Sequence, residues 1–271
     1  MTRRFVLVFV VTLLLSATGN NLFAKTLKLS STTSTQNTGL LAFLARQFKA
    51  DTGYTLAVIA VGTGKALKLA QNCDVDVTLV HAPSLERKFV ASGYGTNRRI
   101  VMANYFVIVG PKSDPADVKD AHSAKDAFAR IAHSKSLFLS RDDNSGTNVK
   151  EKTIWKMAGI VPNGSWYEKI GQSMGATLIM ASEKNAYTLS DIGTYLKMKD
   201  KLDIVPLYDK KSRLLYNPYH VIAVNPNHCG NVDYKGALKF VRWITSRRVQ
   251  KLIASYKDSE GKTLFTPLAI H

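Results

Sequence analysis

Apolar positions along this chain follow two alternating spacings. The short β-rich runs "TLKLSS" (26–31), "TLAVIAVG" (55–62) and "VDVTLVH" (75–81) each precede a stretch with helical periodicity. After the first, Leu40, Leu41, Leu44, Ala45 and Phe48 form one apolar face within "GLLAFLARQFKADTG", and Gly53 ends it. "KALKLAQN" and "SLERKFVASG" are the helical partners of the second and third runs. A long β-type run follows, "RRIVMANYFVIVGP" (98–111), and then new units: "SLFLSR" (136–141) before the helix "SGTNVKEKTIWKMAG", a helix over about 174–184, "AYTLSD" and "LDIVPLY". A second long run, "LLYNPYHVIAVNP" (214–226), leads to the helices "YKGALKFVRWITS" and "RRVQKLIASY". Strands alternating with helices predict an α/β fold whose sheets are mostly parallel and flanked by helices. Two long extended runs flanking a middle block predict two connections between two lobes. Lobe I takes 25–103 plus 217–271, and lobe II takes 104–216.

The first 24 residues change the picture. Arg3 and Arg4, the apolar run Phe5–Leu15 and the small residue Ala24 read as a secretory leader cleaved near Ala24, with an apolar core too short to span a bilayer. The expected location is periplasmic and soluble. Of the 271 residues, 37 are Lys or Arg and 20 are Asp or Glu; without the two leader arginines the surplus is +15. Such a charge suits an anionic ligand or surface, but it is spread along the chain, which argues against nucleic acid. In an oxidising compartment, Cys73 and Cys229 suggest one disulfide.

Nine uncharged polar residues, Ser30 to Thr38, separate the first strand from the first helix. In open α/β sheets, ligands collect beyond the carboxyl ends of strands, where helices begin. Two other junctions are similar: "VGTGKAL" (61–67), with a tight glycine turn, and "SRDDNSGTN" (140–148), with Ser145-Gly146-Thr147 at a helix start. Hydroxyls plus free N–H groups at a helix N-terminus make an anion site. Hydrogen bonds to charged groups contribute roughly 1.5–3 kcal/mol each, so about six to eight could reach the ~12 kcal/mol of nanomolar binding after costs. Any single junction is more often an ordinary N-cap; three in one exported chain favour a shared oxoanion cage.

The stretches "TTSTQNTGLL", "VGTGKAL", "DVTLVHAP", "VMANYFVIVGPKSDPA", "SRDDNSGT", "KEKTIW" and "AYTLSDIGTYL" resemble the tungstate-binding proteins of ABC importers, the TupA type, over nearly the whole mature chain. The resemblance implies a class II periplasmic-binding fold, without a cofactor, that closes over one tetrahedral oxoanion, tungstate or molybdate, and hands it to a membrane permease. It implies a non-enzymatic monomer. Carried over by residue, it puts Thr32, Thr33, Ser34, Thr63, Arg141, Ser145, Gly146 and Thr147 at the oxoanion, with Tyr187 and Thr188 as weaker cleft candidates. Arg141 is the one expected cation, its fork suited to two oxygens, unless it pairs with Asp142 or Asp143.

Some residues depart from the pattern. Asp142 stands where glycine is usual, and as a carboxylate it should point away from a dianion or pair with a cation. Ile192 replaces an arginine that could bridge the lobes. Cys73 and Cys229 are both unusual, which supports their pairing. Other chemistries compete weakly. "GQSMG" (171–175) matches the serine-hydrolase motif around Ser173, with Asp191, Asp203, His220 and His228 following in order, but "GSWYEKI" before it reads as polar rather than as the required strand. His81, His122, His133, His220, His228 and His271 lack metal-ligand spacing and read as surface or packing residues, so no metal site is expected. "VGTGKAL" is no P-loop, since the motif's first glycine would fall at Ile59. Phosphate, molybdate and sulfate remain alternatives; phosphate would need an acceptor for its proton, which Asp142 or Asp143 could supply.

Overall fold

The structure, a computed structural model, describes residues 25–269; the secretory leader expected over 1–24 lies outside the described residues. In chain order the elements are β1 Thr26–Thr32, α1 Thr33–Asn37, α2 Leu40–Thr52, β2 Thr55–Val61, α3 Thr63–Gln71, β3 Val77–Val80, α4 Pro83–Ala91 and β4 Gly95–Gly110. Then come α5 Ala124–Ser134, β5 Phe138–Ser140, α6 Gly146–Met157, β6 Tyr167–Lys169, α7 Met174–Glu183, β7 Thr188–Asp191, α8 Ile192–Met198 and β8 Val205–Tyr208. The chain closes with β9 Tyr216–Val224, α9 Tyr234–Ile244, α10 Arg247–Ser255 and β10 Thr266–Pro267. The helical face of α2 is as the spacing requires: Leu40, Leu41, Leu44 and Phe48 are buried, and Gly53 ends the helix in the left-handed conformation.

Buried apolar residues gather on two sides of the strands β4 and β9. In one lobe the strand order is β10-β4-β9-β3-β1-β2, with α2, α9 and α10 packed on one face and α3 and α4 on the other. In the other, β7 and β8 pair with the C-terminal part of β4, while β5 pairs with β6; α5 and α6 cover one side and α7 and α8 the other. The α/β architecture is as expected, but the sheets are mixed rather than mostly parallel. β1 with β2, β1 with β3, and β5 with β6 are parallel; every pairing of β4 or β9 is antiparallel. The reason is connectivity: the two long runs cross between the lobes in opposite directions and lie side by side, with Asn104 opposite Asn217 at the crossing.

Two elements are not visible in the apolar spacing. α1 is built from the hydroxyl cluster itself and α8 has only seven residues, whereas α5, absent from the sequence reading, does carry a helical apolar face in Ala124, Ala127, Phe128 and Ile131. "GSWYEKI" does contain a strand, β6, contrary to its polar reading; one buried residue, Tyr167, is enough to seat it beside β5. Ser173 nonetheless follows in ordinary backbone, φ −63° and ψ 160°, and its Oγ accepts from the Ala176 N–H as the cap of α7. A nucleophile elbow needs a strained, exposed serine, which this is not. Cys73 and Cys229 are joined by a disulfide that ties the end of α3 to the loop before α9.

Candidate functional site

The three hydroxyl-rich junctions meet where the lobes face each other. Gly64 N–H of α3 donates to Asn144 O of the loop before α6, 3.2 Å away. A Cβ on Gly62 would lie 3.5 Å from Ser145 Cβ, so the glycine turn abuts the start of α6. The α1 junction joins them through His81, whose Nε2 is 3.4 Å from Ser34 Oγ, and through Thr194 of α8, whose hydroxyl donates to Ser34 O at 3.2 Å.

Each junction contributes buried donors, and they differ in what they are already bonded to. Thr32 Oγ1 caps α1, accepting from Thr35 N at 3.3 Å and lying 2.7 Å from Thr35 Oγ1. Ser145 Oγ caps α6 by accepting from Asn148 N, and its own N–H donates to Asp143 Oδ1. Ser34 Oγ faces His81. By contrast Thr33 Oγ1, Thr63 Oγ1 and Thr147 Oγ1 are buried without any hydrogen-bond partner, and so is Arg141 Nη1. Two of these four come from one lobe and two from the other. α3 also lacks a side-chain cap at Gly62. Leaving a buried donor unpaired costs about 1–3 kcal/mol, so these four are groups that an acceptor would relieve.

Arg141 is only 2 % exposed. Its Nε donates to Gln172 O at 3.2 Å and its Nη2 to Asp143 Oδ2 at 2.5 Å. Burial lowers its pKa, an effect opposed chiefly by Asp143, and the guanidinium remains a cation. The expected alternatives therefore coexist: one arm is in an ion pair with Asp143 while the other is free. Asp142, with φ 40°, turns outward to Lys152 at 3.1 Å and Lys169 at 4.0 Å. Beneath the loop, Glu151 accepts from Ser140 Oγ, Asn148 Nδ2, Trp155 Nε1 and Tyr167 OH, which anchors the start of α6. Burial raises the Glu151 pKa, as it does that of Asp191, whose carboxylate caps α8 through the Thr194 N–H and hydroxyl.

His81, read from the sequence as a packing or surface residue, is a packing residue, and its position at the end of β3 puts it beside the junctions. It is 2 % exposed at the end of β3 and stacks on Tyr219 with ring centroids 4.6 Å apart. Asn217 Nδ2 donates to Asn104 Oδ1 and Tyr219 OH, which turns Asn217 Oδ1 toward His81 Nδ1 at 2.9 Å. Nδ1 therefore carries the proton and Nε2 accepts from Ser34. Burial pulls the His81 pKa down to about 4 against the Asn217 bond, and Arg141 pulls it further. Tyr187 and Thr188, the weaker cleft candidates, lie elsewhere: Tyr187 OH donates to Asp114 Oδ1 inside the second lobe, and Thr188 Oγ1 donates to Leu139 O. A surface cavity of about 650 Å³, between Asp117, Arg130, His133 and Ile160, collects no such set of buried donors.

A profile of the PBP superfamily domain matches residues 21–248. The chain belongs to the PBP superfamily. Among its relatives, the "Tungstate-binding protein TupA" of Peptoclostridium acidaminophilum is 43% identical over 244 residues, covering 89% of this chain and 85% of that one. The crystal structure of the tungstate ABC transporter protein of Geobacter sulfurreducens aligns with TM-score 0.77 at 48% identity, covering 84% of this chain and 97% of the other. TupA of Desulfovibrio alaskensis G20 aligns with TM-score 0.76 at 46% identity, covering 91% and 100%. Within the superfamily, the chain is of the TupA type. In this PBP fold the four unpartnered donors sit at helix starts, Thr33, Thr63 and Thr147, and just past a strand end, Arg141, two in each lobe.

Proposed function

We propose that the protein is the extracytoplasmic solute-binding component of an ABC importer, and that it binds tungstate in the inter-lobe cleft and delivers it to a membrane permease. The observation that carries this reading is the quartet Thr33 Oγ1, Thr63 Oγ1, Thr147 Oγ1 and Arg141 Nη1, all buried, all donors and all without partners. Thr32, Ser34, Ser145 and Gly146 complete the proposed site: Thr32 and Ser145 cap α1 and α6, Ser34 faces His81, and Gly146 lets α6 approach it. Among the described residues no helix is long and apolar enough to cross a membrane.

The chemistry of the site favours a fully deprotonated tetrahedral dianion. Every nearby carboxylate is already used: Asp142 by Lys152 and Lys169, Asp143 by Arg141 and Ser145 N–H, Asp191 by Thr194, and Glu151 by four donors. Hydrogen phosphate brings a proton that needs an acceptor; with the carboxylates already paired, only hydroxyl oxygens are left to take it, and a hydroxyl that accepts from the ligand is a weaker partner than a carboxylate. Tungstate, molybdate and sulfate have no such proton. The ligand binds the closed arrangement better than the open one because only closure brings both pairs of donors to it, so binding shifts the population toward closure.

Calorimetric titration of the purified protein with tungstate, molybdate, sulfate and phosphate tests the reading. The expected order places tungstate first and phosphate last. Phosphate binding as tightly as tungstate would overturn the donor-only argument, and absence of heat with all four would overturn the function.

A further inference from the structure

The closed lobes touch hard beside the proposed cage at Gly64 against the Asn144 side chain and at Gly146 against His81, and only the second contact meets a braced ring. Gly146, the first residue of α6, lies so close to His81 that an added Cβ would fall 2.6 Å from both Cε1 and Nδ1 of the ring and 2.9 Å from the His81 carbonyl oxygen. This glycine has no left-handed backbone to explain it. Close approach does. Its chain neighbours are Ser145 and Thr147, donors of one lobe, while His81 faces Ser34, next to Thr33, in the other.

The ring is braced by a stacked tyrosine and a hydrogen-bonded asparagine. Tyr219 stacks behind it and is itself packed edge-on against Phe265, 5.4 Å between centroids, in the first lobe's core. Asn217 holds Nδ1 from the crossing strand β9, and Asn104 of β4 holds Asn217. Interiors packed to this density resist deformation. A stop of this kind fixes how near the two pairs of donors can come.

We propose that His81 and Gly146 form a rigid spacer that sets the width of the closed cage and thereby selects among tetrahedral oxoanions by size. The spacer rests on the oxoanion-binding reading above and adds to it a specificity-determining pair that is not itself a set of ligand donors. Widening the contact by adding a methyl group at Gly146 holds the lobes apart and weakens every ligand. Removing the ring lets them approach further and favours anions with shorter bonds, sulfate over tungstate.

The test is a double-mutant cycle of Gly146→Ala and His81→Ala, with tungstate affinity measured by calorimetry and sulfate affinity by competition. Gly146→Ala should weaken tungstate roughly tenfold or more, as an overpacked contact does. His81→Ala should shift the tungstate-to-sulfate ratio toward sulfate by about tenfold, the size of discrimination a small change of pocket volume supports. The double variant should be tighter than the product of the single effects, because two of the three clashes disappear with the ring. His81→Phe keeps a ring and should keep the ratio even if the lost Asn217 bond lowers stability. Wild type that binds tungstate while the cycle is additive and the ratio is unmoved would overturn the spacer and leave the function standing. Wild type with no tungstate heat would overturn both.

Discussion

Replacing Thr63 by valine removes one hydroxyl from the proposed cage and changes little else in shape. Thr63 starts α3, is fully buried, and its Oγ1 has no partner. In the ligand-free closed protein this substitution deletes a buried donor that was costing about 1–3 kcal/mol, so the folded state should be no less stable. With a dianion in place, it deletes a hydrogen bond to a charged group worth roughly 1.5–3 kcal/mol, which is about 10- to 150-fold in affinity. The two effects have opposite signs, and that separates a ligand contact from a packing role. Calorimetry should show the weaker affinity. Thermal or urea unfolding without ligand should show an unchanged or higher midpoint. At tungstate in roughly thousandfold excess over the wild-type dissociation constant, ligand stabilisation of about 4 kcal/mol should fall to about 1–2.5 kcal/mol in the variant. Affinity within twofold of wild type, or a ligand-free protein clearly destabilised by the change, would refute the reasoning.

Other perturbations have equally definite outcomes. Arg141→Ala should weaken oxoanion binding by several kcal/mol, and Arg141→Lys should recover only part of it, because an ammonium cannot hold Gln172 O, Asp143 and a ligand in one plane; titration of both checks this. His81 is protonated in the unfolded chain below pH 6.5 but in the folded protein only near pH 4, so its contribution is present above pH 6.5 and lost as pH falls through that window. The full effect is about 3 kcal/mol, read as the difference between wild type and His81→Phe in urea titrations from pH 7 to 4, which cancels the opposite-signed contributions of Glu151 and Asp191. Reducing the Cys73–Cys229 disulfide, which closes a loop of sequence separation 156, should cost roughly 2–5 kcal/mol of stability, seen as a lower unfolding midpoint with a reductant. The Lys199–Glu260 ion pair bridges the lobes away from the cage, so Lys199→Ala should speed ligand release a few-fold in stopped-flow measurements, with the difference fading at high salt.

Local features of this chain follow from its sequence for local reasons. The face of α2 and its glycine stop follow from residue spacing alone, because a helix of 3.6 residues per turn sorts apolar from polar positions without reference to the rest of the fold. The hydroxyl clusters at Ser30–Thr38, Val61–Leu67 and Ser140–Asn148 are legible in the same way, since strand ends and helix starts expose backbone donors wherever they occur. The mixed sheet, the braced His81 and the meeting of Gly146 with its ring are not legible, because each joins residues far apart in the chain. His81 bonds Asn217, 136 residues away, and Ser34 accepts from Thr194, 160 residues away. Even the four free donors become recognisable only after folding: every threonine and arginine in a sequence carries the same donors, and burial decides which of them water and neighbouring groups cannot reach. Sequence determined that this chain has donor-rich turns where strands hand over to helices; tertiary structure alone decided which of them touch, as Gly64 touches Asn144 and Gly146 touches His81, because convergence is a property of long-range packing.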